Sequence, residues 1–96
     1  MAYLLQERII AQDAIQDVSA LNIPNNATHA ELQARVQNVA YTMDGSDPNQ
    51  TTTGMVFLTT EPPKLFLIED VQNIRFKRST GTNGNLNIHY IGGRNV

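Results

Sequence analysis

From Thr28 to Val36 the chain alternates without a break. Ala30, Leu32, Ala34 and Val36 fall on one side, and His29, Glu31, Gln33 and Arg35 on the other. A period of two puts successive side chains on opposite faces of an extended chain, so this stretch predicts a strand buried on one face. Such a strand needs paired neighbours and an apolar layer against it, and both must come from the same 96 residues.

The remaining chain offers suitable partners. Val39, Tyr41 and Met43 alternate again and end at Asp44-Gly45, a tight-turn signal because both residues tolerate positive φ. Asp47-Pro48 extends the break, and Asn49 to Thr53 read as a polar loop. Met55 to Leu58 is a second apolar run, interrupted by Glu61-Pro62-Pro63, since two prolines cannot serve an inner ladder. Leu65 to Ile68 follows. Ile74 and Phe76 then alternate with Arg75 and Lys77, Ser79 to Asn85 reads as a loop, and Leu86, Ile88 and Tyr90 form a last strand closed by Gly92-Gly93. Thr and Asn dominate the polar residues, whereas helical domains draw on Glu, Lys and Ala. These segments predict an all-β fold: a small single-domain antiparallel β-sandwich or jelly-roll-like fold of six or seven strands.

The first residues pull in two directions. Ile10, Ala11, Ala14, Ile15, Val18 and Leu21 fit one helical face, opposite Gln12, Asp13, Gln16 and Ser19. Read as strands instead, Gln6–Ala11 and Val18–Ile23 flank a turn near Asp13, which the β-rich remainder favours. Residues 1–20 are therefore set apart as an N-terminal segment, helical or an extended arm, ahead of a β-sandwich domain over 21–96. Met55–Leu58 and Leu65–Ile68 are apolar on both sides, although a small two-layer domain covers one face of each sheet. Either the N-terminal segment or another subunit is expected over the outer face, which makes a homo-oligomer the expected state.

Composition removes several function classes. Seven Lys+Arg against nine Asp+Glu give a net charge of −2, against the basic excess expected of a nucleic-acid binder. No apolar run reaches the roughly 18–20 residues of a membrane span, and Gln6-Glu7-Arg8 interrupts the start as a signal peptide would not. Without cysteine, no disulfide or Cys-based zinc site braces the core, and a reducing compartment is expected.

Chemistry is sparse, and no enzyme, cofactor or metal is expected. His29 and His89 both lie on the polar parity of their strands, without a partner at metal-site spacing. Asp44-Gly45-Ser46-Asp47-Pro48-Asn49 gathers oxygen ligands of the kind calcium takes. Its spacing is not that of an EF-hand, and a turn, with Asp47 capping the backbone before Pro48, accounts for each residue. Arg75, Lys77 and Arg78 form the positive cluster, with Arg75 and Lys77 on one strand face. Interleaved exposed aromatics are lacking, so a solvated face or an acidic protein partner is expected before a nucleic acid. Gly81-Thr82-Asn83-Gly84 is a hairpin loop, since no Lys-Ser/Thr follows it, and Thr51-Thr52-Thr53 reads as hydroxyls on a loop tip.

A set of phrases in fixed order adds a resemblance. Ala27-Thr28-His29-Ala30, then Val39 to Pro48 (Val-Ala-Tyr-Thr-Met-Asp-Gly-Ser-Asp-Pro), Thr53-Gly54-Met55, Asn73-Ile74-Arg75-Phe76, Gly81-Thr82 and Leu86-Asn87-Ile88-His89-Tyr90 resemble small bacteriophage virion structural proteins. The match spans roughly residues 20 to 92 and leaves the first twenty unmatched. The resemblance implies a non-enzymatic structural protein of the virion, assembled in the host cytoplasm. Foremost this would be a capsid decoration (cement) protein bridging coat subunits, and otherwise a head–tail or tail ring component. Its partners would be the major capsid protein or neighbouring virion proteins. Candidate contacts are Tyr3, Leu4, Leu5, Ile9 and Ile10 in the N-terminal segment, with Arg75 and Lys77 on the domain. A shorter resemblance, Tyr41 to Pro48, points to chitobiase-type β-sandwich modules. It implies a carbohydrate-binding accessory role through an exposed ring such as Tyr41 or Tyr90.

Overall fold

The computed structural model describes residues 2–49 and 53–92. Thr51, Thr52 and Gly93, read above as loop and closing residues, lie outside the described residues. Two antiparallel four-stranded sheets stack as an all-β sandwich. The first sheet runs β1 (Ala2–Ala11), β8 (Gly84–Gly92), β3 (Ala27–Arg35), β6 (Lys64–Leu67). The second runs β2 (Gln16–Asp17), β7 (Arg75–Arg78), β4 (Val39–Thr42), β5 (Met55–Phe57).

The alternation on β3 and β8 sets the core of the first sheet. Ala30, Leu32 and Ala34 stand opposite Tyr90, Ile88 and Leu86, and all six are buried. Small residues face large ones at both ends of this row, so the inner surface stays level enough for a second sheet to pack on it. Val39, Tyr41, Phe57 and Phe76 close the core from the second sheet, with Val71 and Ile74 beside them. Tyr41 and Phe57 stack at 3.8 Å between centroids, and Phe66 of β6 meets both edge-on at 6.1 and 6.0 Å. Rings from both sheets thus lock the layers together; each such pair contributes about 0.5–1.5 kcal/mol beyond burial.

One buried polar group ties the N-terminal strand into the core. The Tyr90 hydroxyl donates to Glu7 Oε2 at 2.5 Å, and the Glu7 carboxylate also accepts from the Asn22 backbone N–H and Nδ2, both at 2.9 Å. Burial, reinforced by the hydrogen bond and charge of Glu7, pushes the Tyr90 phenol well above its ordinary value.

Three local expectations are corrected. The helical spacing over Ile10–Leu21 does not form a helix. Ala11 ends β1, and Val18–Ala20 is a single 3-10 turn capped by Asp17, whose Oδ1 accepts from the Ser19 N–H at 2.9 Å. Val18–Ile23 is accordingly not a strand. Residues 2–11 are neither helix nor free arm, because β1 pairs with β8 from Ala2↔Gly92 to Ala11↔Gly84, and a division at residue 20 cuts through one sheet system. The β3 alternation stops one residue early. Val36 is 71% exposed with φ of 73°, closing a three-residue turn in which the Gln37 N–H donates to the Arg35 carbonyl at 2.9 Å. Between β6 and β7 the chain makes one helical turn, α1 (Ile68–Val71), which sinks Val71 into the core.

Deleting residues 2–10 removes an edge of the first sheet and the acceptor of the Tyr90 hydroxyl. The shortened chain is expected to lose its cooperative thermal transition by circular dichroism, whereas a true arm could be removed with the transition intact. Val36→Gly is expected to gain about 0.5–1 kcal/mol in urea denaturation. The left-handed backbone costs a side chain about 1–2 kcal/mol, and the glycine returns part of that as chain entropy.

Candidate functional site

The two outer faces differ in kind. On the second sheet, Ala40 and Thr42 point outward by register yet are buried, and the loop after β4 folds back onto Thr42. Asp44 starts that fold-back, its Oδ1 accepting from the Ser46 N–H and Oγ at 3.0 and 2.5 Å, with Gly45 at φ of 83°. Thr42 Oγ1 donates to the Ser46 carbonyl, and Pro48 is buried. The Asn49 N–H donates to the Thr53 carbonyl at 3.0 Å, and the Thr53 N–H donates back to Asn49 Oδ1 at 3.0 Å. Gly54 is required where the loop rejoins the sheet: its φ is 98°, and a Cβ there would sit 2.6 Å from the Tyr41 carbonyl oxygen.

This folding engages the positive cluster. Arg75 pairs with Asp47, so Asp47 is turned to a guanidinium instead of capping the backbone. Lys77 Nζ lies 3.5 Å from Asp13, and its side chain is largely covered. Arg75 and Lys77 do share an outer face, but intramolecular ion pairs hold both, away from the candidate residues of β1. The Asp44 and Asp47 carboxylates diverge, one to Ser46 and one to Arg75. Among the described residues no group of three or more His, Cys, Asp or Glu gathers to hold a metal, and no helix is long and apolar enough to cross a membrane.

The outer face of the first sheet is open at its edges and closed at its centre, where Ile91 is buried. Register sets its outer side chains in rows. Tyr3, Ile91, His29 and Leu67 form one row, and Gln6, His89, Glu31 and Leu65 the next. Arg8, Asn87 and Gln33 follow, then Ile10, Asn85 and Arg35. The Tyr3 ring stacks on His89 at 4.2 Å between centroids, and the His29 ring is held by Thr28 Oγ1 at 2.9 Å. Exposed apolar side chains therefore stand at both edges of one end of the face, Tyr3 on one edge strand and Leu65 and Leu67 on the other, with Ile91 buried and His29 half-buried between them. Beside them Gln6, Glu31, Gln33, Asn87 and His89 line a shallow polar depression of about 130 Å³. Asn87 Oδ1 is shielded there without a hydrogen-bond partner among the described residues.

The sequence-derived candidates thus separate. Tyr3, Leu5 and Ile10 are exposed on β1, while Leu4 and Ile9 of the same strand pack against the core. Tyr41 and Tyr90, the rings assigned to sugar binding by the shorter resemblance, are both buried core residues. Leu65 and Leu67 were legible only as part of a run apolar on both faces. Their outward parity follows from pairing with His29 and Glu31, which the β6 sequence alone does not set. Compared with known proteins, the chain matches no family model, no curated protein and no solved structure.

Two exposed carboxylates link the turns to pH. Hydrogen bonds from the Ser46 hydroxyl and N–H hold Asp44 below its ordinary 3.8, and those of Ser19 do the same for Asp17. A folded value below the unfolded one gives stability that is present above pH 3.8 and lost as pH falls through the folded values. Denaturation midpoints measured from neutral to strongly acidic pH should fall less steeply on the acid side for Asp17→Asn/Asp44→Asn than for the parent chain.

Proposed function

We propose that the chain is a non-enzymatic bacteriophage virion structural protein, a capsid decoration protein that bridges coat subunits through the outer face of its first sheet. The observation that carries this reading is the exposure of Tyr3 on one edge strand and of Leu65 and Leu67 on the other, on either side of buried Ile91 and half-buried His29. Exposed apolar side chains at one end of a face cost solubility unless a partner covers them, and the polar rows beside them supply the rim that a protein interface needs. The ordered resemblance to small phage structural proteins names the partner: a coat subunit, or a neighbouring protein of the virion. The asymmetry of the two faces supports the same reading, since on the second sheet ion pairs engage Arg75 and Lys77 and the loop after β4 folds onto Thr42, while the first sheet keeps Tyr3, Leu65 and Leu67 exposed.

The chain is expected in purified virions of the phage that encodes it, on the capsid surface and in proportion to coat subunits. Leu65→Ser/Leu67→Ser should bind empty heads about tenfold or more weakly at unchanged melting temperature. Absence from the virion would overturn the proposal, and a position confined to the neck or tail would replace it with the ring-component reading.

A further inference from the structure

The first sheet ends in two edges that the chain treats differently. The β6 edge has four residues, follows Pro62-Pro63 and begins at Lys64, whose amine lies 3.7 Å from Glu61. Shortness, proline and lysine are the means by which soluble proteins keep an edge from pairing. The β1 edge has none of them. It runs ten residues without Pro or Lys, and the guards it has are the register shift between Tyr3 and Leu5 and one inward-pointing charge, Glu7, which Tyr90 and Asn22 already hold. Apart from its ladder with β8, no backbone–backbone hydrogen bond among the described residues involves residues 2–11, and the Asn22 N–H that reaches this strand is taken by the Glu7 side chain. Three large apolar side chains on this strand stay in solvent: Tyr3 is 63% exposed, Ile10 49% and Leu5 41%.

We propose that two copies of this chain pair through β1, antiparallel, about a two-fold axis normal to the first sheet. An unpaired row of N–H and C=O groups is completed by another extended backbone, and this strand can supply one to itself. A two-fold normal to the sheet preserves faces, so inward residues meet inward residues and the two cores continue as one. A register centred on Glu7 sets Gln6 opposite the second copy's Arg8 on the outer face, and Leu5 opposite its Ile9 on the inner face. The two Glu7 residues then meet at the axis, where Tyr90 and Asn22 hold each carboxylate and offset part of the like-charge repulsion. Isologous pairing closes at two copies, whereas pairing of β1 with a second copy's β6 would propagate and is blocked by the guarded edge. The interface rests on the edge alone and stands whether or not the chain belongs to a virion.

The test is the solution mass of the full chain by light scattering over a wide range of micromolar concentrations, together with single-cysteine cross-linking in a sequence that holds no native cysteine. The expected mass is twice 10.7 kDa. A mixture of Gln6→Cys and Arg8→Cys chains is expected to form disulfide-linked dimers on oxidation, well above either variant alone, and Leu65→Cys is not. Leu5→Lys/Ile10→Lys, at exposed positions, should give a folded monomer by circular dichroism, while Leu65→Ser/Leu67→Ser stays dimeric. A monomer at every concentration, or a dimer that cross-links through Leu65→Cys and not through β1, would overturn the proposal.

Discussion

The structure depends on β8 lying between the chain's first strand and β3. Its residues 84–92 pair with β1 and 85–92 with β3, so both edges of this strand are satisfied by segments far away in sequence. Leu86, Ile88 and Tyr90 then face inward, and a slip of one residue would turn all three to solvent. Because the strand comes late in the chain, the first sheet can close only once nearly all of the sequence is available. That non-local pairing is the kind that folds slowly. The Tyr90–Glu7 hydrogen bond joins the same two strands below the ladder, which fixes register with a polar contact that no shifted pairing could satisfy.

Where a stretch answered to one layer, its sequence was readable. The alternations on β3 and β8, the Asp44-Gly45 turn and the outward parity of Arg75 and Lys77 all follow from period and turn chemistry. The failures share a cause, in that one residue spacing served several roles. Ala11, Val18 and Leu21 look helical because a strand end, a 3-10 turn and a coil each send a side chain toward one core, while Ile10, of the same spacing, points outward. Ala40 and Thr42 are buried on the outward parity, Thr42 under a loop that returns to it through Ser46 and Gly54, which their alternation does not announce. Of the candidate site, Tyr3, Leu5 and Ile10 were legible as exposed apolar residues. Their setting on an open sheet edge was not, since edge and centre depend on which strands pair and not on local period.

The two faces account for the functional reading. One sheet spends its outer surface internally, with Asp47 on Arg75, Asp13 on Lys77 and Pro48 buried in the covering loop. The other keeps exposed apolar side chains at both edges beside polar rows, and its β1 edge remains open. Together they propose a body with one closed side, one docking side and one edge suited to a second copy. A small structural subunit needs such an arrangement to tie larger neighbours together, because two-fold pairing would place two docking faces in one continuous plane.

Residue-resolved amide hydrogen exchange across β1, in dilute and in concentrated protein, tests the central claim most directly. An edge strand that pairs with itself should show alternation when dilute: amides directed at β8 are protected and those directed outward exchange fast. When concentrated, both sets should be protected. Outward amides that stay fast at every concentration would contradict the open edge as an interface. Fast exchange along all of residues 2–11 would contradict the strand itself.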